Sequence, residues 1–251
     1  MVRDITLQVQ IAKVKSEFVA NASHEMRTPL ATIRAAVDSL GSLGPLGPDS
    51  QEEFTKIRDM LDRHTTRLEE MTHDLLSLHT IETAKQPLRL EDVEAGSLVR
   101  WAQEQFSPRA ADKGVALEVS AEPPSAVFTS DQMLLRLILQ NLLDNAIKFT
   151  PPGGHVTCRL DVGEELLRLS VSDTGCGIPP ALHERVFERF FQVEPARSGS
   201  GKARGTGLGL AIVKHATERL GGAVSLKSQP GQGTGVEVRL PLVGQEAAPP
   251  R

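Results

Sequence analysis

Ser23-His24-Glu25-Met26-Arg27-Thr28-Pro29-Leu30 places an imidazole, a carboxylate and a hydroxyl within little more than one helical turn. Around it, Leu7, Ile11, Val14, Phe18, Ala22, Met26, Leu30, Ile33, Val37 and Leu40 recur at steps of three and four, which predicts one long amphipathic helix. His24 is two positions from both Ala22 and Met26. At about 100° per residue it lies roughly 200° around the helix from either, away from the apolar stripe. Neutral imidazole is a nucleophile near neutral pH, because its ordinary pKa is about 6.5. Thr28, four residues on, stacks on the same face, and Glu25 can orient the ring or take its proton. Pro29 removes a backbone hydrogen bond and predicts a kink one turn after His24.

Downstream, Gly41-Ser42-Leu43-Gly44-Pro45-Leu46-Gly47-Pro48-Asp49-Ser50 is dense in helix breakers and ends in residues suited to cap a second helix. There Phe54, Ile57, Leu61, His64, Leu68, Met71, Leu75 and Leu78 follow the alternating three-and-four spacing of a coiled-coil seam. Two helices joined by one loop form a hairpin, which cannot bury such a seam alone. Pairing two hairpins into a four-helix bundle solves this, so a homodimer is expected. His64, on the seam, reads as a buried polar residue that sets specificity rather than as a catalyst.

With 251 residues, 39% apolar and 24% charged, the chain suits one large or two modest soluble domains. The net charge of −4, 4% aromatics and no tyrosine leave neither an electrostatic nor a stacking platform for nucleic acid. No apolar run approaches the roughly 20 residues of a membrane span, and no signal peptide is visible. A cytoplasmic location without membrane contact is expected for this chain, whether or not the full-length protein is membrane-anchored. Cys158 and Cys176 form neither a metal-type nor a redox pair, consistent with a reducing compartment.

Near residue 81 the purely helical character ends. Ala95–Ala111 reads as a helix, Val115–Ala121 as a strand, and a further helix starts near Asp131. A hairpin of Val156–Val162 and Leu166–Ser172 turns at Gly163-Glu164-Glu165. Helix Thr206–Leu220 and a last hairpin, Ala223–Ser228 with Gly235–Leu240, complete the series. The fold class is thus α plus α+β. A helical hairpin over residues 1–80 is followed by a linker over 81–90, an α/β sandwich with helices on one face of a sheet over 91–243, and a disordered tail over 244–251.

Three clusters in the second half carry chemistry. In Asn141-Leu142-Leu143-Asp144-Asn145-Ala146-Ile147-Lys148-Phe149, the residues Asn141, Asn145 and Lys148 form one polar stripe beside apolar Leu135, Leu139, Leu142 and Ala146. Two amides and an ammonium on one face suit phosphate oxygens and a hard cation. Mg²⁺ shares few protein ligands with substrate phosphates, so the metal should arrive with a nucleotide. Asp173-Thr174-Gly175-Cys176-Gly177-Ile178-Pro179 follows a strand. Gly175 and Gly177 allow close approach to a flat ligand, and Asp173 can accept a hydrogen bond from an exocyclic amine. Gly205-Thr206-Gly207-Leu208-Gly209-Leu210 opens a helix, whose backbone donors suit phosphate. It is neither a P-loop nor a dinucleotide fingerprint.

Together with Phe187-Glu188-Arg189-Phe190-Phe191, these segments resemble, in order, the boxes of the sensor histidine kinases of bacterial two-component systems. The region around His24 looks like the phosphoacceptor box, Asn141–Phe149 like the Asn-containing box, Asp173–Ile178 and Gly205–Leu210 like the two glycine boxes, and Phe187–Phe191 like the Phe box. The resemblance covers residues 14 to 242. It implies a dimerisation and phosphotransfer hairpin followed by a Bergerat-type ATP-binding domain. It further implies adenine recognition by Asp173, Mg²⁺ ligation by Asn145, phosphate contacts from Asn141 and Lys148, and Phe149 flanking adenine. Between Pro179 and Gly205 it implies a lid over ATP. There Arg189 is the candidate for a phosphate contact, whereas Arg197, Lys202 and Arg204 read as solvated charges.

The mechanism so implied has ATP·Mg²⁺ bound to the second domain. His24 Nε2 attacks the γ-phosphorus while Glu25 holds the other ring nitrogen, and positioning and charge neutralisation supply much of the acceleration. The phosphoryl group then passes to an aspartate on the receiver domain of a response regulator. For the His-Glu-x-x-Thr pattern the resemblance further implies that the Thr28 hydroxyl orients a water that dephosphorylates that aspartate, a phosphatase role. The competing assignment is local, a bond from the hydroxyl to a carbonyl three or four residues back. A pseudokinase scaffold is the alternative function, opposed by the intact His24, Glu25, Asn145 and Asp173. Val2-Arg3-Asp4-Ile5-Thr6 resembles the closing strand of a PAS sensor domain, which places a sensor upstream, unless Asp4 or Thr6 caps the helix instead.

Overall fold

The computed structural model describes residues 2–42, 48–83, 87–193 and 205–242, and the chain divides into two compact units at Leu76/Ser77. The hairpin loop 43–47, Arg197, Lys202, Arg204 and the tail 244–251 lie outside the described residues. Helix α1 spans Val2–Ser42 and carries Pro29 in its interior. Val2–Thr6 is therefore the first turn of a helix and not an extended strand. Among the described residues the first strand begins only at Glu91. Helix α2 spans Pro48–Thr83, so its last turn occupies residues expected in the linker.

The apolar seam of the helices is only partly covered. Ala36, Ile57, Met71 and Leu78 are buried, whereas Leu30, Val37 and Phe54 are 53%, 51% and 43% exposed. A stripe of that width on one hairpin has more apolar surface than its neighbouring helix can reach.

The second unit holds a five-stranded sheet in the order β2-β4-β5-β7-β6. The strands are β2 (Ala116–Glu122), β4 (His155–Val162), β5 (Leu166–Asp173), β6 (Ala223–Gln229) and β7 (Gly233–Pro241). Only β2 and β4 pair in parallel. Alternation directs Val156, Cys158, Leu160, Leu167, Leu169, Val171, Val236, Val238 and Leu240 inward. The other face is charged, with Arg168 3.7 Å from Glu237 across the β5–β7 ladder. Helices α3 (Ala95–Lys113), α4 (Gln132–Phe149) and α5 (Gly209–Arg219) pack on the apolar face.

Each helix has a local reason to start or stop. Asp131 caps α4 by accepting from the Leu134 amide at 3.2 Å, and its second oxygen accepts from the Arg89 amide at 3.0 Å. Thr150 closes the same helix through its amide and hydroxyl, both donating to the Ala146 carbonyl, before Pro151. A second, two-stranded sheet of β1 (Glu91–Glu94) and β3 (Val127–Ser130) was absent from the sequence expectation. Its strands are four residues long, too short for a period-two signal to stand out. Helix α5 begins at Gly209 rather than at Thr206, so Gly205–Leu208 is loop.

Candidate functional site

Three loops and one helix face meet beside α4. On α4, Asn141 and Asn145 face the first turn of α5: a Cβ on Gly209 would stand 3.0 Å from Asn141 Oδ1 and 3.3 Å from Asn145 Nδ2. Any side chain there would press on both amides. The Asn141 amide also donates to the Leu137 carbonyl at 2.8 Å, which fixes its rotamer. One turn on, Lys148 Nζ would be 3.1 Å from a Cβ on Gly205 and lies 5.9 Å from the Phe149 ring centre. The glycine-rich loop and the polar stripe of α4, far apart in sequence, thus share one wall.

Within that loop, Gly207 takes φ +74° with its position backed by Phe190, whose carbonyl carbon would be 2.7 Å from a Cβ on Gly207. The Phe190 amide donates to the Gly207 carbonyl at 2.8 Å, and Gln192 Nε2 donates to the Gly205 carbonyl at 2.9 Å. Phe190 itself sits at φ +62°, the left-handed region that a bulky side chain rarely adopts, so strain is stored where the Phe segment grips the loop. Thr206 is buried and its hydroxyl oxygen accepts from the Leu208 amide at 3.2 Å; Leu208 is fully buried. Gln192 and Phe190 were not singled out for these roles by the sequence, because the bonds close a 13- to 17-residue excursion that no local period marks.

At the C-terminus of α4, one residue beyond Lys148, the Asp173 loop closes on Phe149. A Cβ on Gly175 would stand 2.5 Å from the Phe149 carbonyl oxygen. Asp173 Oδ1 accepts from the Gly175 amide at 2.8 Å and from the Thr234 amide at 3.3 Å. Burial raises the Asp173 carboxyl above the ordinary carboxylate range, against those two amide donors. With Oδ1 engaged by the backbone, Oδ2 is the oxygen left to meet an external donor. Gly177 (φ +67°) passes so close to the Gln229 carbonyl that only a hydrogen fits on its Cα, and Ser228 Oγ accepts from the Ile178 amide at 2.7 Å. Phe149 is 42% exposed at the edge of this loop. Thr234 and Ser228 were invisible as site residues in the sequence, since only the β5–β7 and β6–β7 ladders carry them there.

Charged groups buttress α4 from behind. Lys113 Nζ donates to the Ile147 carbonyl at 2.8 Å and to the Lys148 carbonyl, capping the end of the helix, and burial lowers the Lys113 pKa. Arg109 pairs with Asp144. Burial raises the Asp144 pKa against the opposing pull of Arg109. Arg189 does not point an isolated charge at the loop: its guanidinium pairs with Glu82, which is also 3.3 Å from His215 Nε2.

No group of three or more His, Cys, Asp or Glu able to hold a metal exists among the described residues. The amide oxygen of Asn145 is a neutral, hard donor, and it fits a Mg²⁺ ion whose other ligands are phosphate and water. Cys158 is buried, its thiol pushed up to about 12 by desolvation, and Cys176 is exposed; neither is in a disulfide.

On the helical unit, His24 is exposed on α1. Glu25 is half-buried and meets Arg67 Nη2 of α2 at 3.2 Å. Thr28 is exposed, and its carbonyl accepts from the Thr32 hydroxyl at 3.1 Å.

Residues 14–84 match the His Kinase A (phospho-acceptor) domain, and residues 130–244 the family of histidine kinase-, DNA gyrase B- and HSP90-like ATPases. The solved mycobacterial sensor histidine kinase MprB is 34% identical, with a TM-score of 0.51, over 62% of this chain and 100% of its own. The chain belongs to the sensor histidine kinases. Among other members, the sensor histidine kinase WalK of Bacillus subtilis (strain 168) is 33% identical over 243 residues, covering 96% of this chain and 39% of WalK. Full-length ShkA, crystallised in complex with AMPPNP, is 31% identical with a TM-score of 0.65, over 92% of this chain and 47% of ShkA. The chain spans less than half the length of the first curated relatives it matches, at 39%, 36% and 24% of three of them. No helix among its described residues is long and apolar enough to cross a membrane.

Proposed function

We propose that this chain is the kinase portion of a two-component sensor: it transfers the γ-phosphoryl group of ATP to His24 and from there to an aspartate of a response regulator. The observation that carries the reading is the convergence of the Asn141/Asn145 face, the Gly205–Gly209 loop and the Asp173 loop around α4. In this reading Asp173 Oδ2 accepts from the adenine amine. Phe149 covers the base, and Asn141 and Lys148 meet the phosphates together with the amides of Gly205, Thr206, Gly207, Leu208 and Gly209. The oxygen of Asn145 would ligate Mg²⁺, which supplies charge neutralisation at the phosphates.

His24 then forms a bond from Nε2 to the γ-phosphorus as the bond to the β,γ-bridging oxygen breaks, with ADP leaving. Glu25 holds the proton on the far ring nitrogen. The exposed position of His24 suits both an incoming γ-phosphate and, later, a receiver aspartate. Exposed Leu30, Val37 and Phe54 suit a homodimeric four-helix bundle, in which a second hairpin covers them. Thr28, on the face of His24, would position water to attack the regulator's phospho-aspartate, releasing inorganic phosphate and the free aspartate. A cytoplasmic location follows from the need to meet ATP and the regulator.

Incubation with γ-labelled ATP and Mg²⁺ tests the core of this reading. Label on the protein that is lost in acid and kept in alkali marks a phosphoramidate. Label stable to acid, or no label at all with nucleotide bound, contradicts it.

A further inference from the structure

Glu25 and His24 are adjacent on α1, and adjacent helical positions do not face each other. Something other than the helix must therefore decide where the Glu25 carboxylate lies. The structure supplies that element from α2. Arg67, 42 residues away, donates from Nη2 to Glu25 Oε2 at 3.2 Å. The side chains are 22% and 38% exposed, so the pair is less open to water than a surface bridge and less screened by salt. Nε of the same guanidinium is buried and faces no acceptor among the described residues, so Glu25 is the carboxylate that its charge meets. Nδ1 of His64, three residues before Arg67 and on the same face of α2, is buried and without a partner too. This polar strip crosses an otherwise apolar seam between Ile57 and Met71, both buried. Burying an incompletely bonded guanidinium there costs stability, which an apolar residue would not.

We infer that Arg67 is a positioning residue for phosphotransfer: it holds one oxygen of Glu25 against α2 and leaves the other to take up the far ring nitrogen of His24. Guanidinium is permanently charged and planar, so it holds a carboxylate in one orientation where an ammonium would not. The consequence is that the relation between α1 and α2 sets the geometry of the phosphoacceptor, through a bond that neither helix provides alone. This inference rests on the proposed role of His24 and Glu25.

The test is carried out on the full chain with Arg67→Met, which keeps the apolar stem, Arg67→Lys, Glu25→Gln and the double variant. With Arg67→Met, the kcat of autophosphorylation should fall about ten- to a hundred-fold while KM for ATP stays within about twofold, because a misplaced group acts on the reaction and not on nucleotide binding. Arg67→Lys should recover part of that loss. In the Glu25→Gln background, Arg67→Met should cost nothing further, since residues acting through one contact are not additive. Undiminished kcat in Arg67→Met overturns the inference, and so does an additive double variant whose thermal midpoint falls in parallel, which would mark Arg67 as a tie between the helices only. Absence of acid-labile label in the parent chain would instead overturn the reading of His24, so the two failures are told apart.

Discussion

The helical hairpin and the α/β unit bury their apolar residues in opposite ways. In the α/β unit Leu135, Ile138, Leu139, Leu143, Leu167, Leu169 and Ile212 are all fully buried by the same chain. The hairpin helices leave Leu30, Val37 and Phe54 open while burying Ala36, Ile57 and Met71. A sheet with helices over one face closes its own core, whereas two helices can cover each other's stripe only on one side. Stability in the first belongs to a single chain; in the second, on the proposed dimer, it depends on the concentration of chains. The chemistry divides along the same line. On the proposed function, nucleotide contacts gather on the self-sufficient unit, and the phosphoacceptor sits on the helices that leave apolar residues open.

The sharpest break of that division is His24→Gln. It should abolish acid-labile labelling outright and leave ATP affinity at the parent value by calorimetry. Retained label would move the acceptor elsewhere.

Next come two core substitutions that should behave differently. Leu139→Ala, at a fully buried site, should destabilise the α/β unit by about 2–5 kcal/mol at any protein concentration. Leu30→Ser should leave that unit's melt unchanged and make the helical transition shift to higher protein concentration in sedimentation and thermal scans. A concentration-independent effect of Leu30→Ser would remove the dimer from the account.

Asn145→Ala should weaken Mg·ATP binding at least about tenfold, some 1.4 kcal/mol, with the sedimentation coefficient unaltered. Equal affinity in calorimetry would deny Asn145 its role.

Asp173 separates binding from stability by pH. Its folded carboxyl is raised by burial, so it binds a proton more tightly folded than unfolded. The stability it contributes therefore falls as pH rises from the unfolded value of 3.8 through the higher folded one. Asp173→Asn keeps an oxygen for the Gly175 and Thr234 amides and removes that penalty. Its thermal midpoint should gain on the parent as pH rises above 3.8, while adenine selectivity is lost. A difference that stays flat or shrinks with pH would contradict the burial argument.

The smallest effect is expected at Thr28. Thr28→Ala should leave autophosphorylation within about twofold and slow dephosphorylation of the regulator, as removal of a water-positioning group does. If both activities fell with thermal stability, the threonine would be supporting α1 beside Pro29.

What was legible in the sequence lay within a few residues of itself. His24 off the apolar stripe, the start of α4 at Asp131 and the β4–β5 hairpin follow from periods of 3.6 and 2, and these need only near neighbours. The polar stripe of α4 and the two glycine-containing loop clusters were visible for the same reason. Longer-range choices were not. The start of α5 moved from Thr206 to Gly209 because Phe190 closes against Gly207 and holds it at φ +74°. The four-residue strands β1 and β3 exist only as each other's partners, and the parallel β2–β4 ladder joins segments about 40 residues apart. Only the tertiary structure put Gly209 against Asn141 and Asn145, the Thr234 amide on Asp173, and Arg67 on Glu25. Helix and strand periods tell each side chain which face it occupies, but the identity of what it meets there is settled by how the faces pack.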